Sequence, residues 1–291
     1  MSVPSIRTSV IIPAWRAWAT LPAVLDALEP QVCPNREVIV IDSGADRKGD
    51  EFDRWPWVQA IVRHERLLPG EARNLASKVA RGDVLAFLDA DAIPLPDWLS
   101  RLEAALVPGI DAVAGAVLNG TPQSAVGTAG YLLEFADFLP HQHALVHGAS
   151  CNLLIRTATF KDTAGFDEDL WPGEDTVLTF RLAAAGRLAF APDAAVRHLN
   201  RTAIAQFLPH QRRLGASFRH ICQRVDFPYR RIGHPALAPL AAGLRIMALA
   251  KRLRRHPRLA LDAVRLLPLL VLGLSAWAWG LIAGNASAPS S

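Results

Sequence analysis

The chain is poor in cysteine. Cys33, Cys151 and Cys222 are the only three in 291 residues. They are far apart and odd in number, which gives neither a zinc-ligand spacing nor a disulfide framework. Buried free thiols in a reducing compartment are the expectation. No G-x-G-x-x-G and no G-x-x-x-x-G-K-[ST] occurs, so the common dinucleotide and phosphate-loop signatures are absent. No G-x-S-x-G occurs either, which removes the usual hydrolase elbow. There is no internal repeat and no low-complexity tract. Met1 to Arg7 has no long apolar stretch behind it, so no secretory signal is expected. Charged residues make up 20% and hydrophobic ones 51%, which fits a packed core rather than disorder. The length allows one large domain with an appendage, or two modest domains.

Charge is unevenly spread. Residues 1–211 carry 18 Lys+Arg against 25 Asp+Glu, and residues 212–291 carry 13 against 2. An acidic body is therefore followed by a basic tail. The tail also holds Leu266 to Ala283, 18 residues without a charge, at the lower end of what spans a bilayer as a helix. Trp277 and Trp279 sit where interfacial anchors would be useful. Such an apolar segment at a chain end has little to pack against, so membrane insertion is expected over a core helix. The shorter apolar stretch Ala236 to Ala250 contains Pro239 and Arg245 and reads as in-plane or re-entrant. Between them lies KRLRRHPR, residues 251–258, whose basic charge favours the cytoplasmic side. Lipid headgroups explain the basic tail better than nucleic acid does. The division is residues 1–211 as a catalytic domain and 212–291 as a membrane-associated tail, at the cytoplasmic face of the cell membrane.

Within the body, strand-like and helix-like segments alternate. Ser9 to Ile12, Glu37 to Ile41, Val58 to Val62, Val84 to Leu88 and Ala112 to Leu118 read as strands. Leu21 to Leu28, Pro69 to Ala80 and Pro96 to Leu106 read as helices. This alternation predicts an α/β fold with a mainly parallel sheet. From Cys151 onward the pattern is mixed, with short strands CNLLIR and AVRHL, a helix from Glu174 to about Ala185, and another over 202–218. Ligands of parallel sheets bind beyond the carboxyl ends of the strands. Asp42, Asp89 and Asp91 stand at such ends.

Asp89-Ala90-Asp91 is the sharpest signal. Carboxylates at i and i+2 point the same way on extended backbone, and they repel unless a cation or protons intervene. A hard divalent cation is the natural partner, and it can also hold phosphates. Glu174-Asp175 has two readings: acidic residues favour the first turn of a helix, and a carboxylate at a cleft floor can act as a base. Spacing does not tell which of the two would be that base. His198, closing AVRH, is one of nine histidines.

Together these pieces resemble the family 2 inverting glycosyltransferases of the GT-A fold, in order over roughly residues 8–215. TSVIIPAW resembles the strand that places the nucleotide base, with Pro13 and Ala14. VIVIDSG resembles the second strand, with Asp42 contacting base or ribose. PGEARNLASKVARGDVLAFLDAD is similar to the central block, with Arg73 before the D-x-D. GASCNLLIR, AGFDEDL and GEDTVLTFRLAAAG resemble the acceptor-side block, and APDAAVRHL the strand with a metal-binding histidine.

The resemblance implies roles. Asp91 and His198 would bind Mn²⁺ or Mg²⁺, with Asp89 supporting the ribose or the metal's water shell. Asp89 and Ala90 would line the donor site, and Arg73 would hold phosphate or the acidic loop. Asp175 would be the general base with Glu174 beside it. The substrates would be a nucleotide-diphosphate sugar and a lipid-linked or glycan acceptor. The chain departs from the pattern at Trp15-Arg16, where an aromatic-Asn is usual, and at Ser43, where a second acid is usual. Gln211 to Gly215 does not match the Q-x-x-R-W of processive members, so single-sugar transfer is expected. Two rivals remain. A nucleotidyltransferase would need a Gly-rich, Arg-containing loop that PAWRAWAT does not offer, and a non-catalytic sugar-binding membrane scaffold would not need the acidic positions.

Overall fold

A computed structural model describes residues 7–44, 50–140, 145–225 and 230–284. Its first half winds strand, helix, strand. β1 (Thr8–Trp15), α1 (Leu21–Leu28), β2 (Arg36–Ser43), β3 (Val58–Arg63), α2 (Pro69–Val79) and β4 (Val84–Leu88) follow in order. β1 pairs in parallel with both β2 and β4, and β2 with β3. Side chains alternate across this sheet with period two. Val38 and Val40 of β2 enter one core with Leu25 and Trp98, while Ile39 and Ile41 enter the other with Ala72 and Phe160. Burial on both faces explains why VIVI of β2 and VLAFL of β4 are unbroken apolar runs.

The second half turns the sheet mixed. β5 (Ala92–Pro94), α3 (Trp98–Ala105), β6 (Ala112–Asn119), α4 (Ala125–Glu134), β7 (Asn152–Arg156), α5 (Thr157–Asp162), α6 (Glu174–Ala184) and β8 (Leu188–His198) complete one eight-stranded sheet. Its order is β3-β2-β1-β4-β7-β6-β8-β5. β7 runs antiparallel to both β4 and β6, and β5 antiparallel to β8, while β6 and β8 pair in parallel, so the expected mainly parallel sheet is uniformly parallel from β1 to β4 and mixed beyond it. The physical reason is that NLLIR, buried on both faces, carries no signal of direction. The segment expected as the short strand AVRHL is the end of the 11-residue β8.

Among the described residues, four α-helices follow β8: α7 (Ile204–Arg224), α8 (Ala238–Leu253), α9 (Pro257–Arg265) and α10 (Leu267–Ala283). Residues 211 and 212, where the charge changes sign, lie within α7. The apolar α10 does have something to pack against. Leu270 and Leu274 join Phe207, Leu132 and Leu253 in one cluster, and Trp277 and Leu281 join Ala238 and Ala241 in another. Each such burial contributes about 1.5–3 kcal/mol. A Cβ on Gly215 would strike the carbonyl of Trp277, and one on Gly280 the carbonyl of Arg212, so α7 and α10 touch backbone to backbone. Trp277, expected as an interfacial anchor, is instead 1% exposed, whereas Trp279 is 57% exposed. Arg245 of α8 stacks over Trp277 and donates to the Leu133 carbonyl at 2.7 Å. Among the described residues no single helix is long and apolar enough to cross a membrane. α9 and α10 together pass by length and composition, but they are bent by 77°. Cys151 and Cys222 are buried as expected; Cys33 is exposed, in the turn before β2.

Candidate active site

The carboxyl ends of β1, β2 and β4 form the floor. Pro13 and Ala14 close β1, and Ala14 stands opposite Asp42 in the parallel ladder. Asp42 is 2% exposed and accepts a hydrogen bond from Trp18 Nε1 at 3.3 Å. Ser43, in place of an acid, donates to the Ala14 carbonyl and so ties the two strand ends together.

Asp89, Ala90 and Asp91 turn tightly off β4. The Ala92 N–H donates to the Asp89 carbonyl, and β5 then pairs Ala92 opposite His198. The Leu199 N–H donates to the Asp91 carbonyl and locks the two segments. This pairing brings together residues that are about a hundred positions apart. One ligand atom each from Asp89, Asp91 and His198 lies within 4.8 Å of the others. Buried Ala90 leaves room between the carboxylates. Burial pushes the Asp91 carboxyl above its ordinary range, with the Asp89 charge adding to the effect and His198 opposing it. Lowering that strain calls for positive charge.

The imidazole is prepared for the same task. Asn200 Nδ2 donates to the His198 carbonyl, to Asn119 Oδ1 and to Thr121 Oγ1. Its Oδ1 therefore faces His198 Nδ1 at 3.2 Å and accepts the ring N–H. Nε2 is left facing Asp91, 3.4 Å away. Outer partners that fix the tautomer in this way are typical of metal-binding histidines. Two carboxylates and one such imidazole fit a divalent cation.

Arg73 joins this group to a second acidic site. It projects from α2 with 2% exposure, and its fork splits: Nη2 donates to Asp89 at 2.6 Å and Nη1 to Glu174 at 2.7 Å. Burial pushes the Glu174 carboxyl up to about 7, the neighbouring Asp175 charge adds to that, and Arg73 opposes both. Asp175 is the more exposed member of the pair. Its Oδ2 accepts from the Ser150 N–H at 2.9 Å and from the Ser150 hydroxyl at 3.1 Å, and its Oδ1 accepts from the Thr176 N–H. Both residues do sit in the first turn of α6, after Gly173. Arg73 itself is committed to the acidic groups.

The structure brings Asp89, Asp91 and His198 together with Arg73 and Glu174, and places Pro13, Ala14 and Asp42 at the ends of the paired strands β1 and β2. Other residues at this face carry no motif. Arg201 follows His198 by three residues, and its charge acts on Asp91 and Glu134. Asn200 and Arg201 were in plain view beside His198. Ser150, 25 residues before its partner Asp175, had no signal in a single sequence. Arg66 and Arg213 flank Trp171 from segments remote from one another.

Known proteins share both sequence and shape with the chain. A pre-mycofactocin glycosyltransferase of Mycobacterium tuberculosis is 29% identical over 193 residues, 62% of this chain and 41% of that protein, so the chain spans less than half of that relative. The glycosyltransferase AglE of Haloferax volcanii is 28% identical over 219 residues, 71% of each chain. The mannosyltransferase PcManGT of Pyrobaculum calidifontis, solved with GDP-Man and Mn²⁺, superposes with a TM-score of 0.63 at 19% identity, covering 94% of this chain and 86% of that one. Glucosyl-3-phosphoglycerate synthase of M. tuberculosis, solved with Mn²⁺, UDP-Glc and phosphoglyceric acid, gives 0.54 at 21% identity, covering 76% and 81%. The profile of glycosyl transferase family 2 matches residues 9–175, more than half of the chain, and the chain belongs to that family.

Proposed function

We propose that the protein is a metal-dependent inverting glycosyltransferase that moves one sugar from a nucleotide-diphosphate sugar to a hydroxyl of a membrane-linked acceptor, in surface polysaccharide or glycolipid synthesis. The observation that carries this reading is the split fork of Arg73. It holds two acidic sites side by side, Asp89 with Asp91 and His198 on one flank and Glu174 with Asp175 on the other. Displacement at an anomeric carbon needs both: one site to offset charge on the leaving diphosphate, the other to take a proton from the attacking hydroxyl.

Asp89, Asp91 and His198 would hold Mn²⁺ or Mg²⁺, which supplies charge neutralisation to the leaving group when bound. Pro13, Ala14 and Asp42 close the strand ends where the nucleoside would lie, and the PcManGT complex with GDP-Man and Mn²⁺ supports a donor of this class. Asp175 is the better base of the acidic pair. Glu174 is buried on Arg73, while Asp175 is more open and held in one orientation by Ser150. Attack from the face opposite the leaving group would invert the carbon.

Residues 212–291 are proposed as a membrane-associated tail docked at the cytoplasmic face, with 1–211 as the catalytic part. Support comes from α8 to α10, where Leu244, Met247, Leu261, Val264, Val271 and Trp279 are exposed beside the basic run 251–258. Apolar side chains bordered by Lys and Arg suit an interfacial position.

The test is a donor screen: purified protein, Mn²⁺, a panel of nucleotide sugars, and detection of released nucleoside diphosphate with and without EDTA. Release that depends on Mn²⁺ and on Asp175 supports the reading; release of pyrophosphate from a nucleoside triphosphate overturns it.

A further inference from the structure

The end of α4 and the short 3-10 turn Ala136–Phe138 after it form a strap that links His198 to the C-terminal helices. At its centre the Phe135 ring lies against the His198 imidazole, with ring centres 4.5 Å apart and the planes at 40°. Around Phe135 the strap is held by two helices. From α7, Gln211 Nε2 donates to Glu134 Oε1 at 2.7 Å, and His210 Nε2 donates to Glu134 Oε2 at 3.0 Å. From α8, Arg245 donates to the Leu133 carbonyl at 2.7 Å, and Arg252 pairs with Asp137. Leu133 and Ala136 also join Leu249 and Leu253 of α8 in one apolar cluster.

Each contact has a physical reason. The last carbonyls of a helix have no partner within it, and a cation near them also meets the negative end of the helix dipole. Arg245 meets both conditions for α4. Its guanidinium carbon lies 4.7 Å from the Trp277 ring centre, so the donor is aimed rather than loose. At the other end of the strap, Asn200 holds the His198 ring by its edge, at Nδ1. An edge contact of this kind sets the tautomer but resists tilting of the ring only weakly. A second ring packed against the first resists that tilt, and Phe135 is the residue in that place. A binding side chain has to stay within about 10–20° of its productive direction.

We infer that Phe135 is a positioning residue for the His198 imidazole, and that Arg245, by clamping the end of α4, keeps Phe135 against it. Neither side chain supplies a ligand atom to the cation. Together they set how well His198 is aimed at Asp91, and one of them belongs to the C-terminal helices. The inference rests on the proposed metal role of Asp89, Asp91 and His198. It adds that the affinity for the cation is set in part by residues outside the strands that carry those ligands.

The test reads metal affinity rather than turnover. Mn²⁺ is titrated calorimetrically into the full chain for wild type, Phe135→Leu, Phe135→Tyr, Arg245→Met, Arg245→Lys, and Phe135→Leu combined with Arg245→Met. Circular dichroism and thermal melting first establish that each variant is folded. Leu281→Ala is the comparison, since it loosens the C-terminal helices from a different cluster and leaves the strap alone. Phe135→Leu is expected to weaken Mn²⁺ binding about tenfold, the low end for groups that orient a metal ligand. Arg245→Met, one step further removed, should cost about three- to fivefold. Phe135→Tyr keeps a ring and Arg245→Lys keeps a donor, so both should stay within about twofold of wild type. Acting in series, the combined variant should lose no more than Phe135→Leu alone. Losses that multiply in the combined variant would sever Arg245 from Phe135 and overturn the inference. So would unchanged binding in Phe135→Leu, or a loss in Leu281→Ala equal to that in Arg245→Met, which would mark general loosening. No Mn²⁺ binding by wild type would defeat the metal reading, and the inference with it. Mn²⁺ bound with the expected losses by a protein that releases no nucleoside diphosphate from any donor would defeat the proposed function and leave the positioning role standing.

Discussion

Arg73 and Glu174 meet at 2.7 Å across 101 residues of sequence, and both are almost wholly buried. A buried pair is costly to break, since Glu174 left without Arg73 must either take up a proton or keep its charge without compensation. Arg73→Met should therefore destabilise the fold by about 3–5 kcal/mol, read as a shift of the denaturant midpoint at unchanged slope. A loss under about 1 kcal/mol would show that the fork is not a structural bond.

The raised pKa of Glu174 makes stability depend on pH. The group's ordinary value is 4.5 and the folded value is about 7. Between these the folded protein keeps a proton that the unfolded chain has lost, so the group's contribution to stability falls as pH rises toward 7. Glu174→Gln removes that dependence. Measured on metal-free protein, wild type should lose up to about 3 kcal/mol relative to this variant between pH 5 and 8. Parallel curves would contradict the raised value.

Asn200 is expected to act on the metal through His198. Asn200→Ala frees the ring to change tautomer and orientation, and Mn²⁺ affinity should fall about 10–100-fold by calorimetry. Asp91→Asn should cost more, since an anionic ligand is lost. Full donor affinity and turnover in EDTA would remove the metal from the account.

Asp175→Asn separates chemistry from binding. The amide keeps the shape but cannot take the proton, so turnover should fall about 10²–10⁴-fold while donor affinity holds. Glu174→Gln is the comparison and should cost less turnover. An inactive Glu174→Gln beside an active Asp175→Asn would transfer the role to Glu174.

Much of this arrangement was legible in the residues themselves. VLAFL followed by Asp-Ala-Asp announces a buried strand delivering two carboxylates, because a doubly covered strand must be apolar throughout and its end must meet solvent. The pairing of His198 with Asp91 was not legible from spacing, since it depends on β5 turning back against β8. The reversal of β7 was hidden for a related reason: hydrophobic alternation records which face a side chain takes, not which way the strand runs. Ser150 and Arg213 gave no signal, as their partners are brought near only by folding. The run LLPLLVLGLSAWAWGLIA was ambiguous in principle, because a helix apolar on all sides reads alike whether lipid or protein surrounds it. The small residues Gly273 and Gly280 were the available hint that another helix lies close.

The backbone contact of α7 with α10 also bears on how this protein can be divided. Arg212 and Gly215 of α7 lie against Gly280 and Trp277, and Arg213 on the same turn reaches Trp171 at the mouth of the site. A gene cut after Phe218 would strip Phe207 of Leu270 and Leu274 and open the turns that aim Arg213. Helix α10 is thus a keystone for the side of the site that α7 builds, and recombination that exchanged it would have to carry α7 along.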